Sequence, residues 1–155
     1  MAAVSHQYAA DGSYTVTLTV TTFDGRSAST SRVVDVETHD VAVAGFDVPK
    51  TAKVGTTQRI TVEIRNVRRT DTVQVVLRRS DRDSPINFVV IGTLTQSVPA
   101  RPANKATPFD FDYTFNDDDL AVGSVTFAAE ATIIGARDAL PGDNEVVAIA
   151  TSVRA

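Results

Sequence analysis

The sequence predicts an all-β protein, and three observations lead to that prediction. Several segments alternate apolar and polar side chains with a period of two, which is typical of strands buried on one face. Turn-forming residues separate these segments, and no segment has a convincing helical periodicity. A chain of 155 residues with 43% hydrophobic residues can bury a core. We therefore expect a β-sandwich with additional strands in front of it.

The additional strands begin with the segment GSYTVTLTV at 12–20. Its apolar residues at 14, 16, 18 and 20 share one face, and its threonines share the other. Asp24 and Gly25 predict a tight turn, after which a second strand ends in RVVDV at 32–36. Too few residues precede this hairpin to provide an opposing sheet. We interpret VETHD at 36–40 as a boundary, which gives one segment at 1–38 and a second at 39–155.

The register of this hairpin depends on its loop. A two-residue turn at Asp24-Gly25 would place Val16 opposite Val33. Bringing Val34 and Val36 onto the apolar face requires one extra residue, which we expect as a bulge between 21 and 31.

The second segment is predicted to contain seven strands. They are expected at 40–48, 59–65, 72–78, 88–97, 109–115, 125–133 and 144–153. Loops are expected between them, including 81–85, the proline-rich 99–108, 116–123 and 136–144. The aromatic residues of FDFDYTF at 109–115 lie on one face and mark the core. Seven short strands in this length predict an immunoglobulin-like sandwich.

Charge and composition exclude several functional classes. The net charge of −4 argues against general binding to nucleic acid or to anionic membranes. The longest nearly apolar run, at 88–94, is far shorter than the ~20 residues of a membrane-spanning helix. No membrane insertion is therefore expected. Without cysteine, the chain has no disulfides and no thiolate chemistry.

The charges are unevenly distributed. Residues 59–82 contain seven arginines and three acidic residues, whereas 110–145 contains nine acidic residues and one arginine. We expect Arg59 and Arg65 to face Asp110 and Asp112 across paired strands. The alternative is a patch for an anionic ligand, made by Arg65, Arg68, Arg69, Arg78, Arg79 and Arg82.

The sequence predicts no catalytic, cofactor-binding or metal site. A nucleophilic triad needs a histidine-type base; the chain has only His6 and His39, and His39 is expected in the linker. The acidic stretch 116–119, together with Asp138, Asp143, Asn144 and Glu145, contains oxygen ligands of the kind that Ca²⁺ takes. These residue types also begin turns by bonding their own backbone, and we favour that interpretation. Chelators are therefore not expected to change the melting temperature.

The segment HQYAADGSYTVTLTVTTFDGRSASTSRVVDV at 6–36 resembles the C-terminal end of a PKD domain. The first half of such a domain has no counterpart in this chain. The resemblance implies that the hairpin is the end of a truncated β-sandwich module. It also implies that the chain is a piece of a longer, multi-domain protein.

The second segment resembles the CARDB family, the cell-adhesion-related domains of bacterial and archaeal surface proteins. The matching features are HDVAVAGFDV at 39–48, Val54-Gly55 before ITVEIRN, and LPGDNEV at 140–146. The resemblance implies a seven-stranded sandwich in a secreted or surface-anchored protein, acting in adhesion or as a spacer. The family offers no catalytic motif, so no enzymatic activity is expected.

The alternative function is an accessory domain of a secreted hydrolase, which binds glycan or positions a catalytic domain. The expected partners are neighbouring β-sandwich modules, with a surface protein or glycan as further candidates. The apolar face of the hairpin also predicts self-association of the chain into a homodimer.

Overall fold

The structure is a computed structural model that describes residues 4–84 and 86–155. The first three residues of the segment 1–38, and Pro85 of the loop expected at 81–85, lie outside the described residues. The chain divides into two compact units, Met1–Thr38 and His39–Ala155.

The first unit contains an antiparallel hairpin of β1 (Gly12–Thr21) and β2 (Ser27–Val36). In the loop, the Gly25 N–H donates to the Thr22 carbonyl at 3.0 Å, and the Thr22 N–H donates to the Arg26 carbonyl at 2.8 Å. Gly25 has a φ of 82°, so this loop is a β-turn followed by a glycine bulge. The extra residue required for the register is thus confirmed, and it is Gly25. Val34 accordingly lies opposite Tyr14.

The two faces of the hairpin differ in chemistry. On one face, hydroxyl pairs join the strands at Thr17–Ser31, 2.9 Å, and Thr19–Ser29, 2.8 Å. On the other face, Val16, Leu18 and Val20 are 45%, 62% and 55% exposed. A row of large apolar side chains therefore meets solvent.

The second unit consists of ten strands and one α-helix within the described residues. They are β3 (Val41–Asp47), β4 (Thr51–Lys53), β5 (Thr57–Asn66), β6 (Asp71–Ser80), β7 (Phe88–Val98), β8 (Thr107–Thr114), α1 (Asp117–Val122), β9 (Ser124–Val125), β10 (Phe127–Ile133), β11 (Glu145–Val147) and β12 (Thr151–Arg154). A 3-10 turn at Pro141–Asp143 precedes β11.

These strands form the predicted sandwich. One sheet has the order β3-β5-β8, and the facing sheet has the order β11-β10-β6-β7. A smaller sheet, β4-β12-β9, pairs β12 with β4 in parallel. Alternate residues of β5, β6, β8 and β10 point into one core between the sheets. The all-β, immunoglobulin-like fold class is therefore confirmed.

The strand count differs from the expected seven because two strands are interrupted and a short one is added. The expected strand 125–133 changes partner at Thr126, whose carbonyl accepts from the Ser80 N–H and whose N–H donates to the Ser80 hydroxyl. β9 then pairs with β12, while β10 pairs with β6. The expected strand 144–153 is likewise divided into β11 and β12, and β4 was not predicted.

Candidate functional site

The acidic stretch 116–119 was predicted as a loop, and the structure corrects this to the start of α1. The Asn116 side chain accepts from the Asp119 N–H, and the Asp119 carboxylate accepts from the Asn116 N–H, both at 3.0 Å. This reciprocal capping box satisfies backbone donors that a helix start leaves without partners. The stretch is therefore a helix cap.

Arg79 of β6 and Arg82 of the loop after β6 hold two of these acids in place. Arg79 lies 3.4 Å from Asp119, which is only 1% exposed, and the Tyr113 hydroxyl donates to the same carboxylate at 2.9 Å. Arg82 pairs with Asp118 at the surface. Burial, followed by the hydrogen bond with Asp119, raises the pKa of Tyr113 well above its usual value. These charges stabilise the fold around α1.

The arginine-rich strands match the predicted charge pairing only in part. β5 does pair with β8, and Arg59 lies 3.8 Å from both Asp110 and Asp112. Arg65 does not face these residues, because the β5–β8 register places Arg59 opposite Asp112 and Thr61 opposite Asp110, and its last pair is Ile64 with Thr107. It pairs instead with Ala42 of β3. The predicted cross-strand charge pairing is therefore confirmed for Arg59 and wrong for Arg65.

The arginines of the alternative anion patch are spread over several elements. They lie on β5, in the turn after it, on β6 and in the loop after β6. Arg78 pairs with Glu130 of β10 at 2.7 Å, and Arg79 and Arg82 pair with acids of α1. At least these three arginines of the set are thus already matched by carboxylates.

The expectation that His39 lies in a linker is wrong. His39 opens the second unit, and its Nδ1 lies 2.5 Å from the buried carboxylate of Asp71. Its carbonyl accepts from the Ala139 N–H at 2.9 Å. Asn66, 1% exposed, donates to the other Asp71 oxygen at 2.9 Å. His39 is therefore anchored to the sandwich, whereas His6 makes an edge contact with Tyr8 in the first unit.

A second group of acids lies in the segment 138–145, which we call the 138–145 loop. Asp138 is held by two backbone donors, the Val41 N–H at 3.1 Å and the Leu140 N–H at 2.7 Å. Asn144 is 6% exposed, and its carbonyl accepts from the Ala131 N–H at 2.8 Å. Asp138 and Asn144 line a small cavity of about 190 Å³. This loop packs oxygen-bearing side chains against the start of β3.

The negative charge of this loop is poorly compensated by basic groups. Burial, together with the carboxylates of Asp40 and Asp138, raises the pKa of Asp143 above its usual value. The Arg65 charge acts in the opposite direction and is the smallest of these influences. A raised carboxyl pKa contributes stability at acid pH, and this stability is lost as the pH rises through the pKa of the folded state. Ionisation of Asp143 is therefore less favourable in the folded chain than in the unfolded chain.

A wider groove of about 700 Å³ runs between the edge strand β3 and the segment 146–150. Phe46 and Val48 line one side, and Val146, Ala148 and the 94% exposed Ile149 lie on the other. The groove is therefore a concave and largely apolar surface between two strand edges.

Two features are absent from the described residues. No three His, Cys, Asp or Glu side chains in 4–84 and 86–155 group closely enough to hold a metal ion by themselves. No helix in the same residues has the length and apolar character needed to cross a bilayer.

These features define an immunoglobulin-like β-sandwich module preceded by a two-stranded hairpin. Residues 1–37 match the family model described as a PKD domain. Among solved structures, the chain is similar to the CARDB domain of a Pyrococcus furiosus protein, determined in complex with di-metal ions. The TM-score is 0.57 and the identity 14%, over 76% of this chain and 90% of that one.

A further similar structure is dimeric latent PorU from Porphyromonas gingivalis, with a TM-score of 0.37 and 14% identity. The match covers 94% of this chain and 12% of PorU. A comparison with curated proteins finds no match.

The two predicted resemblances, to a PKD domain and to a CARDB domain, are confirmed by these comparisons. At 14% identity, the likeness to the CARDB domain concerns the fold. PKD and CARDB-like domains are typical of extracellular proteins and are generally non-catalytic.

Proposed function

We propose that the chain is a non-catalytic adhesion or spacer module of a larger multi-domain secreted or cell-surface protein. The observation that carries the proposal is the exposed face of the hairpin, where Val16, Leu18 and Val20 are all about half exposed or more. A two-stranded hairpin is marginal in water by itself, so this face is suited to being covered by another protein surface. A module that joins or contacts other modules needs such a surface.

The covering surface is a neighbouring β-sandwich module in the parent protein. The match of residues 1–37 to the PKD domain family supports this proposal. In the isolated chain, the same face is available to a second copy. We therefore propose that the isolated chain forms a homodimer through β1 and β2.

The substitution Leu18→Asp tests this proposal. Leu18 is 62% exposed at the centre of the apolar face, and burying a charge there in the dimer would cost its desolvation. Sedimentation equilibrium should show the wild-type chain dimerising at high concentration and the variant remaining monomeric.

The control is Thr17→Asp, which places the same charge on the hydroxyl face of the same strand and should still dimerise. A fragment of residues 39–155 should melt cooperatively as a monomer, because both sheets of its core lie within it. If the wild-type chain is monomeric at every concentration, or if both Asp variants behave alike, dimerisation through the apolar face is wrong.

The alternative function, glycan binding by an accessory domain, has weaker support. A carbohydrate platform needs exposed aromatic rings, but Phe109, Phe111 and Phe115 lie in the core and Tyr113 is partly buried. Phe23, at the tip of the hairpin, is a fully exposed aromatic residue. We expect no saturable binding on a glycan array. Binding that is lost in Phe23→Ala would favour the alternative.

A further inference from the structure

The 138–145 loop contains two oxygen atoms that the fold encloses and does not satisfy. Among the described residues, Oδ1 of Asp143 and Oδ1 of Asn144 are buried but have no hydrogen-bond partner. An enclosed acceptor without a partner costs about 1–3 kcal/mol, and more when it is charged. Most enclosed polar atoms in proteins are bonded, so a pair of adjacent exceptions requires an explanation.

The fold holds Asn144 and the neighbouring Asp138 in position. The backbone of Asn144 is bonded to β10 through the Ala131 N–H, and the residue is 94% buried, being 6% exposed. Its side chain lines the 190 Å³ cavity beside Asp138. The two backbone donors to Asp138 also fix that carboxylate. The arrangement is therefore preorganised.

The charge around the oxygens is negative. Asp143 lies near the carboxylates of Asp40 and Asp138, and Arg65 is the basic group that acts on it. Glu130 and Glu145 also line the cavity. Arg78, 2.7 Å from Glu130, compensates one of these charges. A water molecule would supply hydrogen-bond donors to the enclosed oxygens, but it would leave this excess charge uncompensated.

We propose that the 138–145 loop binds a divalent cation of the calcium type, with ligands from Asp138, Asp143 and the amide oxygen of Asn144. Ca²⁺ is coordinated by carboxylate, amide and backbone oxygens together with water in a flexible geometry. Mg²⁺ demands a near-ideal octahedron and dehydrates reluctantly, so it fits less well. The amide oxygen is essential, because the carboxylates alone do not form a metal-holding cluster in the described residues. The acids of 116–119 have no part in the site.

Calcium titration of the full chain, after dialysis against a chelator, tests the proposal. Isothermal calorimetry should give one site with a Kd on the order of 0.1–1 mM, the range of extracellular calcium modules. The melting temperature should rise by several degrees in about 10 mM Ca²⁺, and much less in Mg²⁺. In Asp143→Asn, the affinity should fall at least about tenfold. Asp117→Asn, in the first turn of α1, removes the same charge elsewhere and should bind like the wild type.

The Asn144 side-chain amide gives a readout that needs no variant. Its NH₂ resonances in a ¹⁵N correlation spectrum should shift saturably with Ca²⁺, together with the backbone amides of 138–145. If Ca²⁺ produces no heat, no shift and no thermal stabilisation, the oxygens are hydrated by water only and the proposal is wrong. Calcium binding that is equally strong in both Asp variants would place the cation elsewhere and would also overturn it.

Discussion

Asp119→Ala should lower the free energy of unfolding by about 3–5 kcal/mol, because it removes one partner of a buried ion pair and leaves the other uncompensated. Asp119 is 1% exposed and accepts from the Tyr113 hydroxyl, the Asn116 N–H and the Arg79 guanidinium. Arg79 is 19% exposed in its side chain, so water compensates it only in part. The substitution also removes half of the capping box of α1. Urea denaturation of the full chain measures the change.

Asp118→Ala is the matched control for this prediction. Asp118 is the preceding residue and also pairs with an arginine, but the two side chains are 54% and 51% exposed. Exposed ion pairs contribute about 0–1 kcal/mol, so the control should have a small effect. If the two variants lose equal stability, burial does not decide the contribution of these pairs.

The pH dependence of the stability of Asp119→Ala provides a second readout. The pKa of Tyr113 is raised in the folded state, first by burial and then by Asp119. The unfolded tyrosine ionises near pH 10, so the stability conferred by this shift is complete below pH 10 and is lost as the pH rises further. In Asp119→Ala, the loss of stability above pH 10 should be shallower than in the wild type.

The strands of the sandwich could be predicted because their signal is local. In β5, the alternation of Ile60, Val62 and Ile64 with polar residues fixes which face is buried, and all three are 0% exposed. A period of two is visible in any short window of sequence. The pairing of β5 with β8 followed from the order of strands in an immunoglobulin-like fold.

The features that were missed depend on contacts between distant residues. Asn116 and three following aspartates are compatible with a turn or with a helix cap, and Arg79, far away in sequence, completes the surroundings of Asp119. The boundary interpretation of VETHD at 36–40 places His39 in a linker, whereas its partner Asp71 lies 32 residues further on. The register of the β5–β8 ladder, which places Arg59 and not Arg65 opposite Asp112, is likewise set by packing.

The candidate cation site likewise combines features that the sequence shows with features that only the tertiary structure supplies. The sequence offers Asp138, Asp143, Asn144 and Glu145, together with residues 116–119, as candidate Ca²⁺ ligands, but it favours turns and predicts no metal site. The fold separates the two groups: one is a helix cap paired with arginines, and the other has enclosed oxygens without partners. Residue type and spacing identify candidate ligands. Which of them remain without partners depends on the neighbours that the tertiary structure supplies.

Phe127→Ala should also lower the free energy of unfolding by about 3–5 kcal/mol, the range for aromatic truncation in a core. Phe127 is 0% exposed where β10 begins, after the chain has changed its partner from β12 to β6. Its ring centroid lies 5.3 Å from that of Tyr113 and 6.2 Å from that of Phe115, and both contacts are edge-to-face. Edge-to-face pairs contribute about 0.5–1.5 kcal/mol beyond the burial of area, so truncation loses these contacts and leaves a cavity.

The control is Phe23→Ala, which makes the same chemical change at the exposed tip of the hairpin and should alter stability by no more than about 0.5 kcal/mol. Both variants can be compared by urea denaturation, following the unfolding of the second unit. Because Tyr113 contacts both Phe127 and Asp119, the double variant Phe127→Ala/Asp119→Ala should lose less stability than the sum of the single losses. Strict additivity would mean that the aromatic cluster and the buried carboxylate stabilise the sandwich independently, which is contrary to their shared contact through Tyr113.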